Sequence, residues 1–512
     1  MTELLRRASS WPGRRRRLSP ALDSSLISSS ATLATPTDVS PSRSSPRTRA
    51  WTESALAKPV DIAWLAAFRV LFGLTLAVST ARFLAYGWID ALFIEPRFHF
   101  KYLGFAWVEP LPAPQLYALF WALLGLALMV AAGALFRVSA LLLVLGFSYL
   151  QLIDVATYLN HYYLASLLGL LLWLSPAARA FSLDAYLRSR AETTRARTPH
   201  SQQVAAGVQT LFRFQVGVVY TFAGLAKAHG DWLWHAQPLR IWLGSHTDLP
   251  LVGRLFSYEL TAVAMSWGGF LFDTAVPWLL LFRRTRPYAY VVLIGFHLAV
   301  GRLFPIGMFP AIMILAATVF FAPDWPRRLL ARFVRGAPAR APTASSAAGA
   351  PPRVPRTTLL LAGLYGALQL LLPLRFLAYG GNVRWHEQGM RFSWRVMVRE
   401  KNGSLTYVVH SPALGRTWQV APGRYLTPNQ EREISGQPDL ILQLAHHIAR
   451  DFARRGYGPV EVRAEALVSL NGRPSTRLVD PRVDLASVRD GLAKASWILP
   501  APDDPPPHTR PI

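Results

Sequence analysis

The chain has 512 residues, of which 52% are hydrophobic and only 16% charged. Soluble domains carry about a quarter charged residues, so these figures exclude an ordinary soluble globular protein. The formal net charge of +25 is concentrated in loops and in an Arg/Ser/Pro-rich leader, and the absence of cysteine excludes disulfides, thiolate nucleophiles and Cys-based metal sites.

Residues 1–56 hold the basic leader, with Arg6, Arg7, Arg14–Arg17, Arg43, Arg47 and Arg49 and no apolar run before residue 60. It reads as a disordered cytoplasmic tail that sets membrane orientation rather than as a nucleic-acid arm or a cleaved signal peptide. About nine apolar segments follow, near 60–86, 114–135, 138–159, 162–176, 207–228, 258–282, 287–303, 306–322 and 357–375. Most reach the ~20 residues needed to cross a bilayer, and 162–176 and 306–322 are short enough to be partial or tilted spans. The predicted fold class is therefore a polytopic α-helical membrane domain followed by a soluble α+β, β-rich extracytoplasmic domain. Its parts are a membrane domain at 57–335, a flexible Ala/Pro/Ser/Gly-rich linker at 336–356, a last helix at 357–375, a head at 376–499 and a disordered tail at 500–512. Arginines crowd alternate loops (Arg137; 177–206; Arg283, Arg284 and Arg286; 323–356), while loops 87–113 and 229–257 carry acids such as Asp90, Glu95, Glu109, Asp231 and Asp248. Nine crossings satisfy every loop with the N-terminus cytoplasmic and the head outside, and the lack of cysteine favours a bacterial inner membrane. In the head, Arg391–His410 alternates about Asn402-Gly403 and Val460–Val479 about Asn471-Gly472, two hairpin signals. Between them Asp439–Arg455 has helical spacing.

Ionisable groups inside spans default to functional readings. Lys227 is one of only five lysines (Lys58, Lys101, Lys227, Lys401, Lys494) in an arginine-rich chain. It reads either as a snorkelling end-of-span residue or as a general base, a role open to lysine and closed to arginine. His161 reads either as an interfacial histidine beside Tyr158, Tyr162 and Tyr163 or as an acid, base or donor near an oxyanion. The topology puts both at similar depth, at one shared site. Arg69 and Asp273 are read as a buried structural membrane pair. The Gly/Pro-broken run 301–310 reads either as a wall for a flat apolar ligand or as a tight helical hairpin. The remaining histidines show no metal-ligand spacing.

The strings YLNHYYL, FAGLAKAHGDW, FHLAVGRLFPIGMFP with FFAPDWPR, GNVRWHEQGMRFSWRVMVREKNG and VSLNGRPSTRLVDPRVDLA occur in this order over residues 158–486. Together they resemble the vitamin K-dependent gamma-carboxylase family, including bacterial relatives with the horizontally transferred transmembrane domain, and the resemblance extends over roughly 60–490. It implies a lyase-class enzyme. Reduced vitamin K, as the phylloquinone or menaquinone hydroquinone, reacts with O2 to give a strong base and then the epoxide, a glutamyl γ-proton is removed, and CO2 is added; no metal takes part. Lys227 and His161 match the family's catalytic lysine and histidine. Arg391, Arg395 and Arg482 are the implied contacts for substrate glutamate, and Phe304, Gly307 and Met308, from the Gly/Pro-broken run, are the candidate contacts for the quinone. The implied partners are the bilayer, a quinone and a glutamate-containing peptide or protein, with no nucleic acid. Ala226 replaces a second lysine of the animal enzymes and Val300 an asparagine near the quinone. The missing cysteines remove a disulfide of those enzymes, and the short stretch after DPRVDLA puts propeptide recognition outside the expectation. Alternative readings are a quinol epoxidase with a non-protein acceptor and a non-catalytic quinone-binding membrane protein.

Overall fold

The structure is a computed structural model describing residues 55–191, 202–334 and 354–507. The basic leader up to residue 54 and linker residues 336–353 lie outside the described residues. Among the described residues, five helices are long and apolar enough to cross a membrane: α1 (Ala63–Ala85), α2 (Ala113–Ala132), α3 (Phe136–Ile153), α6 (Glu259–Leu281) and α10, which runs from Arg356 to Leu374 and tightens into a 3-10 turn to Ala378. The expected nine segments are thus not all full spans. Helix α4 (Asn160–Leu174) has 15 residues, and α5 (Ala206–Lys227) is long enough but interrupts its apolar run with Gln209, Arg213, Gln215 and Lys227. Helix α7 is Arg286–Leu303. The short segment expected at 306–322 is α8 (Phe309–Ala317) with its 3-10 extension to Phe320, which then meets α9 (Trp325–Phe333) at a bend of 100°.

Small residues set how closely these helices pack, as in other helical membrane bundles. A Cβ on Gly73 of α1 would stand 2.6 Å from the Ala127 carbonyl oxygen of α2, and one on Gly224 of α5 would stand 2.5 Å from the Thr274 side chain of α6. At the base, strands β1 (Pro59–Asp61) and β2 (Gln203–Ala205) pair antiparallel. Arg327 of α9 closes that end, bonding Asp61 at 2.9 Å and Gln202 at 2.7 Å. Helix α10 is tied to α5 by the Tyr365 hydroxyl, which donates to Gln215 at 2.5 Å, while Leu360, Leu361, Leu364, Leu368 and Leu371 face outward.

The head is a four-stranded antiparallel sheet in the order β4-β3-β5-β6, made of β3 (Lys401–Ser411), β4 (Arg416–Val420), β5 (Glu461–Leu470) and β6 (Thr476–Arg477). Alternation along β5 buries Val462, Ala464, Ala466 and Val468, as expected for a sheet with one covered face. Helix α11 (Pro428–Ile434) opens with a capping box on Thr427, and α12 (Pro438–Arg454) lays Leu440, Ile441, Leu444, Ile448 and Phe452 on the sheet. The Tyr407 hydroxyl of β3 donates to the Ile441 carbonyl of α12 at 2.8 Å.

Only one of the two predicted hairpin turns forms. Asn471 and Gly472 both take positive φ, 53° and 81°, the geometry of a type I′ turn. Asn402 and Gly403 instead lie inside β3, opposite Ser469 and Val468. A Cβ on Gly403 would sit 2.7 Å from the Leu467 carbonyl oxygen, so this glycine serves a close strand approach rather than a turn. The stretch expected to pair with it, 391–398, is irregular, with positive φ at Phe392, Trp394 and Met397. Residues 500–507 of the tail run without regular secondary structure, and the Asp504 carbonyl accepts from Arg473 Nε at 2.6 Å.

The head is fused to the helical bundle. Phe100 and Val155, from loops of the bundle, belong to the head's own core. Phe392 packs against Tyr158 and Tyr163, and Trp394 stacks on Tyr163 at 4.9 Å. The Arg473 guanidinium grips Asp231 with two bonds of 2.7 and 2.8 Å, and Asn471 adds a third at 2.7 Å.

Candidate active site

Helix α5 places Tyr220, Gly224 and Lys227 on one face, since i, i+4 and i+7 recur within two turns. Gly224 lets α6 come close, and Lys227 Nζ then meets the Asp273 carboxylate at 2.7 Å. Both side chains are buried, at 7% and 8% exposure. The ammonium also donates to the Ala223 carbonyl oxygen at 3.3 Å and lies 5.3 Å from the Trp232 ring centre. The expected Arg69–Asp273 pair does not form. Arg69 sits two turns into α1, where its Nη2 donates to the Phe181 carbonyl at 2.5 Å, and Asp273 takes the cation that Gly224 brings within reach.

The Lys227–Asp273 pair opens on a cavity of about 320 Å³ whose walls are mostly apolar, among them Val219, Phe272, Phe296, Leu303 and Met313. Its second polar station is Tyr220, whose hydroxyl lies 2.7 Å from His297 Nε2 of α7. His297 Nδ1 has no partner. Two polar stations in an otherwise apolar, ligand-sized cavity fit a flat molecule bearing two oxygens.

His161, on the first turn of α4, lines a second cavity of about 660 Å³. Its imidazole is buried, with Nε2 unpartnered. This space runs from Phe83, Phe120 and Leu123 in the bundle to Asn429, Arg432 and Glu433 on the head. The two cavities share three lining residues, Phe309, Val396 and Met397. The Phe309 ring stands 5.9 Å from His161 and 5.5 Å from His297. Lys227 and His161 therefore line neighbouring chambers rather than one pocket.

The other predicted contacts fare unequally. Phe304 lines the smaller cavity and Gly307 the larger, whereas Met308 lines neither and packs against the bundle core. Arg391 is committed to Asp439 and Gln437 within the head. Arg482 lies 3.0 Å from Asp480, with 87% of its side chain exposed, and lines neither cavity. Arg395, directly before the shared wall, has its guanidinium 4.0 Å above the Phe376 ring and its Nε unpartnered. Burial and the neighbouring Arg384 pull it down to about 10.

Sequence reasoning passed over Asp273 as the partner of Lys227, the Tyr220–His297 pair and Arg384. The spacing Tyr220-Gly224-Lys227 was a usable signal, because a glycine between two polar residues on one helix face marks a close approach. Arg384 carried no signal of its own.

A family model described as the HTTM domain matches residues 57–325. A second, described as the vitamin K-dependent gamma-carboxylase, lumenal domain, matches residues 354–504. No solved structure matches the chain.

Proposed function

Because the chain belongs to the HTTM family and carries the lumenal domain of the vitamin K-dependent gamma-carboxylases, we propose that it is an integral membrane carboxylase acting on glutamate side chains with reduced vitamin K. The observation that carries this reading is Lys227, paired with Asp273 at 2.7 Å in an apolar cavity that shares a wall with the chamber of His161.

Reduced vitamin K, when bound and reacted with O2, supplies the strong base that removes a glutamyl γ-proton, and it leaves as the epoxide. The smaller cavity suits it: Phe272, Phe296 and Phe304 offer flat apolar contacts, and Lys227 and the Tyr220–His297 pair are polar stations for its two oxygens. Lys227 Nζ donates to Asp273 across 2.7 Å, so the carboxylate is placed to take a proton from the amine. Its passage to Asp273 leaves a neutral amine facing the cavity, and that amine can accept a proton from a bound hydroxyl. Excluding water from this space strengthens each such contact and protects a strong base from being quenched. The larger cavity reaches the head and suits a peptide side chain, with His161 at its inner end as hydrogen-bond donor. Arg395, next to the shared wall residues Val396 and Met397 though lining neither cavity itself, is the contact we assign to the glutamyl carboxylate, since a guanidinium without an ion-pair partner suits a carboxylate. CO2 is the second substrate. In this reading the head lies outside the cytoplasm, consistent with the alternating charge of the loops.

The test uses the full chain in lipid nanodiscs with reduced vitamin K, labelled bicarbonate and a short glutamyl peptide. Wild type is expected to release epoxide and label the peptide, and Lys227→Ala to do neither. Epoxide without peptide label would sink the carboxylase reading in favour of an epoxidase with another acceptor.

A further inference from the structure

Beside the shared wall, where the head meets the bundle, lies a cluster in which cations outnumber anions. Arg384 projects from a single helical turn, Val383–His386, which the Asn382 side chain caps. Its Nε has no partner, nor has that of Arg395. Neither guanidinium is ion-paired among the described residues. His229 accepts a bond from the Trp232 backbone N–H at its Nδ1, 3.3 Å away. Its proton is therefore on Nε2, which is buried and also unpartnered. The three groups act on one another: burial and then Arg384 drive His229 down to about 3, with Arg395 adding to the effect.

Among the described residues, the one carboxylate within electrostatic reach of Arg384 is Asp231, and it is already taken. Two bonds from Arg473 and one from Asn471 fill it. Arg384, Arg395 and Arg473 bring three positive charges, Asp231 brings one negative charge and His229 is neutral, so two positive charges are uncompensated. Partly buried charge of this kind is costly unless a counter-ion arrives. Unpaired donors on three side chains from two parts of the chain give such an anion its contacts.

We propose that Arg384, Arg395 and His229 form a carboxylate subsite at this seam, and that it prefers a geminal, malonate-type dicarboxylate to a single carboxylate. The choice of ligand rests on the carboxylase reading, because adding CO2 to the γ-carbon of glutamate turns one carboxylate into two on the same carbon. Two guanidiniums match two carboxylates in charge and number, whereas unreacted glutamate leaves one guanidinium unmatched. Arg395 would hold the carboxylate common to substrate and product. Arg384 would hold the added one, with His229 Nε2–H donating beside it. Arg384 is thus a product-recognising residue, and release of product from it is a step that substrate does not share.

The test is direct binding of two short peptides to the full chain in nanodiscs, identical except that one carries γ-carboxyglutamate where the other carries glutamate. Wild type is expected to bind the dicarboxylate peptide about tenfold more tightly, the scale of one added charge-assisted contact. Arg384→Gln is expected to bring the two affinities together, and Arg384→Lys, which keeps the charge, to retain part of the preference. Equal binding in wild type overturns the subsite, as does a preference that survives Arg384→Gln or a lysine variant indistinguishable from the glutamine one. Peptide labelling with no dicarboxylate preference removes the subsite and leaves the carboxylase reading. The preference without labelling removes the carboxylase reading and leaves the subsite.

Discussion

A lysine near the end of a membrane helix ordinarily extends its four-carbon stem to reach water. Lys227 is turned inward instead, held by Asp273, the Ala223 carbonyl and the Trp232 ring. Removing one member of a buried pair strands the other, at a cost of about 3–5 kcal/mol, whereas replacing both with apolar residues of similar volume is often neutral. Asp273→Asn is accordingly expected to lower both the melting temperature and epoxide formation. The double change Lys227→Met with Asp273→Leu is expected to recover the melting temperature and none of the activity. If Asp273→Asn retains wild-type epoxide formation, the carboxylate has no part in moving the proton.

At the level of elements, the site depends on how closely α5 and α6 pack. Gly224→Val would put a side chain into Thr274 and the backbone of α6, a clash that costs about 1–3 kcal/mol or forces the helices apart. Epoxide formation is expected to fall at least about tenfold. Gly217→Val on the same helix, where a Cβ meets nothing within 4 Å, is the matched control and should stay near wild type. Elements whose pattern is local were legible in the sequence, as with the amphipathic helix at 438–454 and the Asn471-Gly472 turn. Asn402-Gly403 misled because the same dipeptide serves a turn and a close strand pairing, and only the partner strand distinguishes them. The two short segments were legible from their length, but the span count was not, because apolar composition reports a buried helix as readily as a crossing one.

For the whole molecule, the resemblance singled out Lys227 and His161 as candidates, but it did not give their spatial relation. They lie 66 positions apart in sequence, and the sequence supplies no information on whether two residues at similar depth line one chamber or two. The arginines show the same limit from the other side. Arg391 and Arg482 are of the right type, but each already has an acid beside it, which only tertiary structure reveals. Orientation is testable because the native chain has no cysteine. A single Arg482→Cys variant, at a side chain 87% exposed, is expected to react with a membrane-impermeant thiol reagent added to intact cells. Reaction only after the cytoplasmic side is opened would reverse the proposed topology.

The wall of Phe309, Val396 and Met397 between the two chambers bears on the stoichiometry of the reaction. In the proposed reaction, a base generated in one chamber and consumed in the next would be useful only if it did not leak to solvent, so the thickness of this partition would govern how many epoxides form per carboxylation. Met397 is a long side chain on a backbone with φ of 52°, a conformation that L-residues with side chains rarely adopt. Shortening it as Met397→Ala keeps the ion pair and the histidine while thinning the partition. The variant is expected to turn over reduced vitamin K at a rate close to wild type but to release more epoxide per labelled glutamate, a futile cycle. An unchanged ratio would mean that this side chain does not seal the two compartments from each other.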